Sequence, residues 1–266
     1  MKQNTDPVEI DCCILTDVGC VRNNNEDAVA ADESCRMVVL ADGMGGYNAG
    51  EVASAMAVEG ILANLSDLLD NGVSKLRDLQ DAMQQAVDQA NRSIFEKANT
   101  DPDCFGMGTT VVMALLWEQR MLIGHVGDSR AYLWRDGNLT QLTRDHSLIQ
   151  EYIDSGFVTV EEAAQLGYRS LLTRALGVED TVMLEISDWR LRTDDLFLLC
   201  SDGLTDMLDD ADIAQCLAAN GALQEQAQQL MDNAKTRGGL DNVSVALLKL
   251  GKVRKKSPIS WRLSQL

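Results

Sequence analysis

The chain has 266 residues, 45% of them apolar, and a formal net charge of −18 from 41 acidic against 23 basic residues. That apolar share sustains a large core and excludes a globally disordered chain. The acidic balance argues against nucleic acid and anionic membrane as partners, and no apolar run reaches the roughly 18–20 residues that cross a bilayer.

The first nine residues are polar and read as a flexible N-terminus. Ile10 to Thr16 reads as a strand, and Ala28–Asp32 with Arg36–Ala41 as a pair turning at Glu33-Ser34. From Asn48 the period lengthens: Ala55, Val58, Leu62, Leu65 and Leu69 predict an amphipathic helix closed by Asn71-Gly72. A second helix carries Leu76, Leu79, Met83, Val87, Ala90 and Ile94 on one stripe. Strands return at Thr109–Trp117 and Arg120–Val126, joined at Glu118-Gln119, then at Ala131–Arg135 and Leu139–Leu142 around Asp136-Gly137-Asn138. Residues 147–169 form a polar, helical insertion, in which Thr159 to Glu162 has the spacing of a capping box. Val182–Trp189 and Leu196–Ser201 read as strands, Asp210–Ala219 and Leu223–Lys235 as helices, and Asn242–Leu250 as a last strand. The order is not an alternating strand–helix pattern. It predicts an α+β chain of antiparallel sheets covered by helices, in one domain over residues 10–250. A basic tail follows at 251–266, with Lys252, Arg254, Lys255, Lys256 and Arg262. It reads as a solvated end, with a docking segment as the alternative.

Acidic residues recur where apolar strands stop: Glu26-Asp27, Asp42-Gly43, Asp128, Asp202-Gly203 and Asp241-Asn242. A carboxylate against a buried strand is costly unless it is paired, hydrogen-bonded or bound to a cation. An all-oxygen set favours Mg²⁺ or Mn²⁺ over zinc. Each Asp-Gly therefore reads as a metal-ligating turn, its glycine allowing a sharp bend and a close carbonyl; alone, either is more simply a structural turn. Arg22, four residues before Glu26, offers a forked, permanent cation for a phosphate, or a salt bridge to Glu26 or Asp27. The seven cysteines are odd in number and lack C-x-x-C spacing, so they read as reduced thiols in a cytoplasm. None begins a C-x5-R loop, so a cysteinyl-phosphate route has no nucleophile. The N-terminus lacks the apolar segment of a signal peptide, which agrees with a cytoplasmic location.

TDVGCVRNNNED, VVLADGMGGYNAGEVAS, GTTVVMALL, GHVGDSRAYLWRDG, LTRDHS, LLCSDGLTDML and GGLDNVSVALL occur in this order. Together they resemble the metal-dependent protein phosphatases of type 2C (the PPM family), in their compact bacterial form, over nearly the whole chain. The resemblance implies a four-layer α-β-β-α sandwich, two antiparallel sheets flanked by helix pairs. It implies a protein serine/threonine phosphatase that uses a metal-bridging water and opposes a bacterial Ser/Thr kinase, acting on phosphorylated proteins as a monomer. Asp42 would bridge two Mn²⁺ or Mg²⁺ ions, the Gly43 carbonyl would ligate one, and Asp202 and Asp241 the other. Glu26 and Asp27 would hold metal-bound waters, Asp128 with Asp202 a third, weaker ion, and Arg22 the substrate phosphate. Two departures stand out. Met44 occupies a position where some members carry a candidate general-acid histidine, which leaves a water, another residue or His146 for that role, with a structural role for His146 as the alternative. Gly167-Tyr168-Arg169-Ser170 replaces the usual residues of the flap, a segment tied to substrate choice. A catalytically inactive member serving as a binding or sensing module is the competing reading; all the matching acids are present.

Overall fold

In the computed structural model, which describes residues 9–45, 49–163, 171–219 and 221–251, the apolar runs pair into two antiparallel sheets. One has the order β1 (Ile10–Asp17), β11 (Val243–Leu250), β10 (Leu196–Cys200), β7 (Arg130–Arg135), β8 (Asn138–Gln141). The other runs β2 (Asp27–Ala31), β3 (Met37–Met44), β5 (Val111–Trp117), β6 (Arg120–Val126), β9 (Glu185–Arg190), with the short β4 (Gly108–Thr109) added to β3. Helices α1 (Ala49–Asn71) and α2 (Leu76–Thr100) cover the outer face of the second sheet. Helices α6 (Asp210–Ala218) and α7 (Leu223–Thr236) cover the outer face of the first. Two short helices, α3 (Leu148–Asp154) and α4 (Val160–Ala163), lie in the insertion, and α5 (Asp202–Thr205) follows β10. This is the expected four-layer α-β-β-α sandwich.

Each central strand feeds two cores, because successive side chains point to opposite faces. In β3, Met37, Val39 and Ala41 pack under α1 and α2, while Val38 and Leu40 enter the layer between the sheets. In β10, Leu196, Leu198 and Cys200 meet α6 and α7, while Phe197 and Leu199 face inward. Both faces are covered, so these strands show no apolar–polar alternation and read in the sequence as unbroken apolar runs.

The expected elements appear with small shifts. Strand β9 begins at Glu185 rather than Val182, since Val182 to Leu184 stays in a loop held by Gln84. The buried stripe of α1 is Ala53, Ala57, Val58, Ile61 and Leu65; Ala55, Leu62 and Leu69 lie at its half-buried edge. The capping box is present: Glu162 N–H donates to Thr159 Oγ1 (3.2 Å), and Thr159 N–H to Glu162 Oε2 (2.8 Å). Helix α5 was not expected, being a single turn. The reading of seven reduced thiols is corrected at one pair: Cys12 and Cys35 form a disulfide with Cα atoms 5.9 Å apart. The sandwich brings β1 beside the β2–β3 turn, a juxtaposition that no cysteine spacing announces. Among the described residues no helix is long and apolar enough to cross a membrane. The tail at 251–266 lies outside the described residues but for Gly251, as do the flap residues 167–170.

Phe197 is fully buried between the sheets. Phe197→Ala is expected to lower unfolding stability by about 3–5 kcal/mol, read from the urea midpoint at unchanged slope; a loss under about 1 kcal/mol would show that the intersheet layer is not closely packed.

Candidate active site

All five acidic clusters come together at one end of the sandwich, where β3 and β10 end and β2 and β11 begin. Asp27 opens β2 directly opposite Asp42 of β3, so two carboxylates share one face of adjacent strands, an arrangement that is repulsive in itself. The Asp42 backbone is fixed on both sides. Its N–H donates to Thr110 Oγ1 (3.0 Å), and its carbonyl accepts from Thr110 N–H (2.9 Å) and Thr109 Oγ1 (2.9 Å). Asp27 Oδ2 accepts from Ser201 Oγ (2.8 Å), which in turn accepts from Ser244 N–H (2.9 Å), so this carboxylate ties one sheet to the other. Asp27 Oδ1 is buried with no hydrogen-bond partner.

The glycines of the two Asp-Gly pairs serve one purpose, and it is not the sharp bend inferred from the sequence. Neither has a left-handed backbone. A Cβ on Gly43 would lie 2.1 Å from the Gly50 carbonyl oxygen at the start of α1, and a Cβ on Gly203 2.0 Å from the Asn242 carbonyl oxygen. Both glycines let another chain segment approach the aspartate-bearing one at backbone distance. Through these contacts the α1 N-terminus reaches Glu26, whose carboxylate accepts from Gly50 N–H.

Asn242, whose role was not anticipated, holds the loop segments together. Its Oδ1 accepts from Glu26 N–H (2.8 Å), and its Nδ2 donates to the carbonyls of Val18 (3.0 Å) and Asn24 (2.8 Å). Ser201 was likewise missed. Short polar residues beside an aspartate give no periodic signal, and their partners are distant in the chain. Arg22 pairs with neither Glu26 nor Asp27: its Nη2 donates to Asp241 Oδ2 at 2.7 Å, and its side chain stays half exposed. Residues 22–26 are not helical, so a four-residue spacing brings no contact there.

The electrostatics follow from crowding. Burial first, then the charges of Asp27, Asp202 and Asp128, hold the Asp42 carboxyl well above the usual range. Burial, then Asp128, Asp206 and Asp241, do the same to Asp202. Burial lifts Asp128 to about 7 and Asp27 to about 6. Asp128 is only 8% exposed. Asp206, on the turn after α5, adds charge to a cleft of about 710 Å³ that Asp128, Asp145, Asp202, Asp209 and Asp210 also line. The two arginines of that wall are both engaged: Arg130 in a bidentate pair with Asp145 and Arg237 with Asp212. Crowded, buried oxygen donors and an orphaned buried carboxylate oxygen fit hard divalent cations.

His125, His146 and Glu185 form another group of potential donors, their ligand atoms all within 4.8 Å. Their hydrogen bonds argue against a cation. His146 Nδ1 accepts from Gly127 N–H (3.1 Å), which assigns the ring proton to Nε2, 3.2 Å from Glu185 Oε2. Arg174 Nη1 also stands 3.5 Å from Nε2. With its backbone paired to Gly127 and Thr173, His146 ties the Asp128 loop to the insertion's return segment, the structural alternative.

A family profile described as Protein phosphatase 2C matches residues 21–242. The serine/threonine phosphatase stp of Listeria innocua is 37% identical over 245 residues, 90% of this chain and 96% of that protein. PstP of Mycobacterium tuberculosis, a serine/threonine protein phosphatase, is 42% identical over 235 residues, 87% of this chain and 43% of that one. The crystal structure of the PstP catalytic domain in complex with two manganese ions superposes with a TM-score of 0.81 at 38% identity, covering 92% of this chain and all of that chain. Serine/threonine phosphatase Stp1 of Staphylococcus aureus gives 0.83 at 32% identity, covering 90% and 94%.

Raised carboxyl pKa values have a definite sign. Between roughly pH 4 and 7 the folded chain keeps protons at Asp27 and Asp128 that the unfolded chain has lost, so these groups withdraw stability as pH rises through that window. With chelator present, Asp128→Asn is expected to melt above the parent at about pH 8, an advantage that disappears by about pH 4. Equal melting temperatures at the higher pH would refute the crowding.

Proposed function

The chain belongs to the protein phosphatase 2C family, and on that premise we propose that its acidic ring holds two Mn²⁺ or Mg²⁺ ions for hydrolysis of phosphoserine and phosphothreonine in proteins. It is a metal-dependent protein serine/threonine phosphatase. The observation that carries the site assignment is the ring itself: Asp27, Asp42 and Asp202 are crowded at one end of the sandwich, with an unpartnered buried oxygen among them.

Asp42, the Gly43 carbonyl, Asp202 and Asp241 are the residues that would hold the cations, with Asp42 the candidate common to both. Glu26 and Asp27 would orient the waters around them, and Asp128 with Asp202 would offer a third, weaker position. Divalent cations held by these residues would supply Lewis-acid chemistry, activating a water and neutralising charge on the phosphoryl group. The chain's own contribution is to fix the donors before any cation arrives: threonine hydroxyls, Ser201, Asn242 and the two glycine contacts leave the carboxylates little freedom. Arg22 is the phosphate anchor. Its guanidinium reaches solvent while paired to Asp241, and neutralising Asp241 frees the fork for a phosphoryl oxygen. Met44 carries no transferable proton, and both His146 nitrogens are engaged, so the leaving serine oxygen takes its proton from water in the cleft.

The inactive-module reading lacks support, since every acid of the family pattern is present and gathered. A Ser/Thr kinase and its phosphorylated targets are the partners that fit, and the enzyme acts as a cytoplasmic monomer.

Phosphate release from a phosphothreonine peptide with Mn²⁺ is expected to stop on adding EDTA and to fall at least about 100-fold in Asp202→Asn. Arg22→Ala is expected to raise KM more than it lowers kcat. Release that survives both EDTA and Asp202→Asn would overturn the assignment.

A further inference from the structure

A second depression opens on the Met44 side of the ring. It has a volume of about 510 Å³, and its lining includes Met44, Leu171, Arg174, Val178, Val182 and Met183. Leu171 is 49% exposed, Val178 55% and Met183 74%. Adjacent apolar side chains held in water mark an interaction surface, the more so on a chain of net charge −18.

The surface is built rather than loose. A Cβ on Gly108 would come within 2.9 Å of Met44 Cε and 3.1 Å of Val178 Cγ2, so that glycine is the floor over which the two side chains close. The segment bearing Val178 and Met183 is pinned along its length. Leu176 exchanges backbone hydrogen bonds with Thr109 (2.8 and 3.0 Å). Gly177 N–H donates to Asn91 Oδ1 (2.7 Å), and Asn91 Nδ2 to the Glu179 carbonyl (3.0 Å). Gln84 Nε2 donates to the Val182 carbonyl (3.0 Å) and Gln84 Oε1 accepts from Leu184 N–H (2.9 Å). A surface fixed in advance loses little freedom when it is covered.

We infer that this groove takes an apolar side chain of the protein substrate, from a residue flanking the phosphorylated one. The inference rests on the phosphatase reading and adds a sequence preference to it. Its basis is continuity: Met44 follows Asp42-Gly43 in β3, so a polypeptide whose phosphoryl group sits at the ring passes over Met44. An extended chain advances roughly 3.3 Å per residue with alternate side chains on one side, so a flanking residue reaches the groove wall.

The test uses phosphothreonine peptides of Gly-Ser background, each with one leucine at a different flanking position. The parent is expected to favour one leucine position at least about 10-fold in kcat/KM over the plain peptide, the worth of burying most of a leucine. Val178→Asp and Met183→Asp, both at exposed positions, are each expected to erase that preference, and Val178→Lys to transfer it to an aspartate at the same position. Circular dichroism melts matching the parent establish that the variants fold. Equal kcat/KM for every peptide, or a leucine preference unchanged in both aspartate variants, would overturn the inference. So would sedimentation showing that the parent self-associates through this face and the variants do not, because a second copy would then be its occupant. Absence of Mn²⁺-dependent release from every peptide would sink the phosphatase reading first, and this inference with it.

Discussion

The burial of several carboxylates at one end of the sandwich, compounded by their mutual repulsion, is the constraint on which the rest of this molecule depends. Asp27, Asp42, Asp128 and Asp202 all have raised pKa values, with burial the largest cause in each. A lone polypeptide would relieve such crowding by letting strand ends splay. Here the ends cannot move apart, because the Asp42 backbone is bonded to Thr109 and Thr110, and Ser201 and Ser244 fasten Asp27 to the opposite sheet. The cost of ionising the ring therefore stays in the fold until positive charge is supplied. This is preorganisation in its electrostatic form: the groups proposed to receive the cations are fixed beforehand, and the three apolar layers supply the free energy that keeps them so.

Much of this was legible from the chain alone. Helix periods located α2 and α7, and apolar runs ending in turn residues located most strands. What blurred the reading was coverage on both faces. Val38 and Val39 look identical in a sequence, yet one faces the other sheet and the other faces α1. The α1 stripe was drawn through Ala55, Val58, Leu62, Leu65 and Leu69, while the buried face is Ala53, Ala57, Val58, Ile61 and Leu65; the two alanines carry little hydrophobic signal but let the helix approach closely. The Cys12–Cys35 link was invisible because it depends on which sheet edges meet.

The site divides along the same line. The aspartates announced themselves by standing at the mouths of apolar strands, where an unpaired charge is hard to explain. The residues that aim them did not. Asn242, through three hydrogen bonds, and Ser201, through one, reach across more than 170 positions of sequence. The purpose of Gly43 and Gly203 emerged only once the opposing carbonyls of Gly50 and Asn242 were located. Local chemistry names the donors; only the fold names what aims them.

The Cys12–Cys35 link has a topological consequence. It closes a covalent ring whose circumference includes Arg22, the proposed phosphate anchor, and the acids Glu26 and Asp27. A backbone break anywhere between Cys13 and Ser34 would leave both fragments tethered, so that one accidental nick there does not shed the chain's N-terminal strand. In a reducing compartment the same nick would separate β1 from β2 covalently, leaving noncovalent contacts, the β1–β11 ladder and packing against α7 among them, to hold that edge of the sandwich.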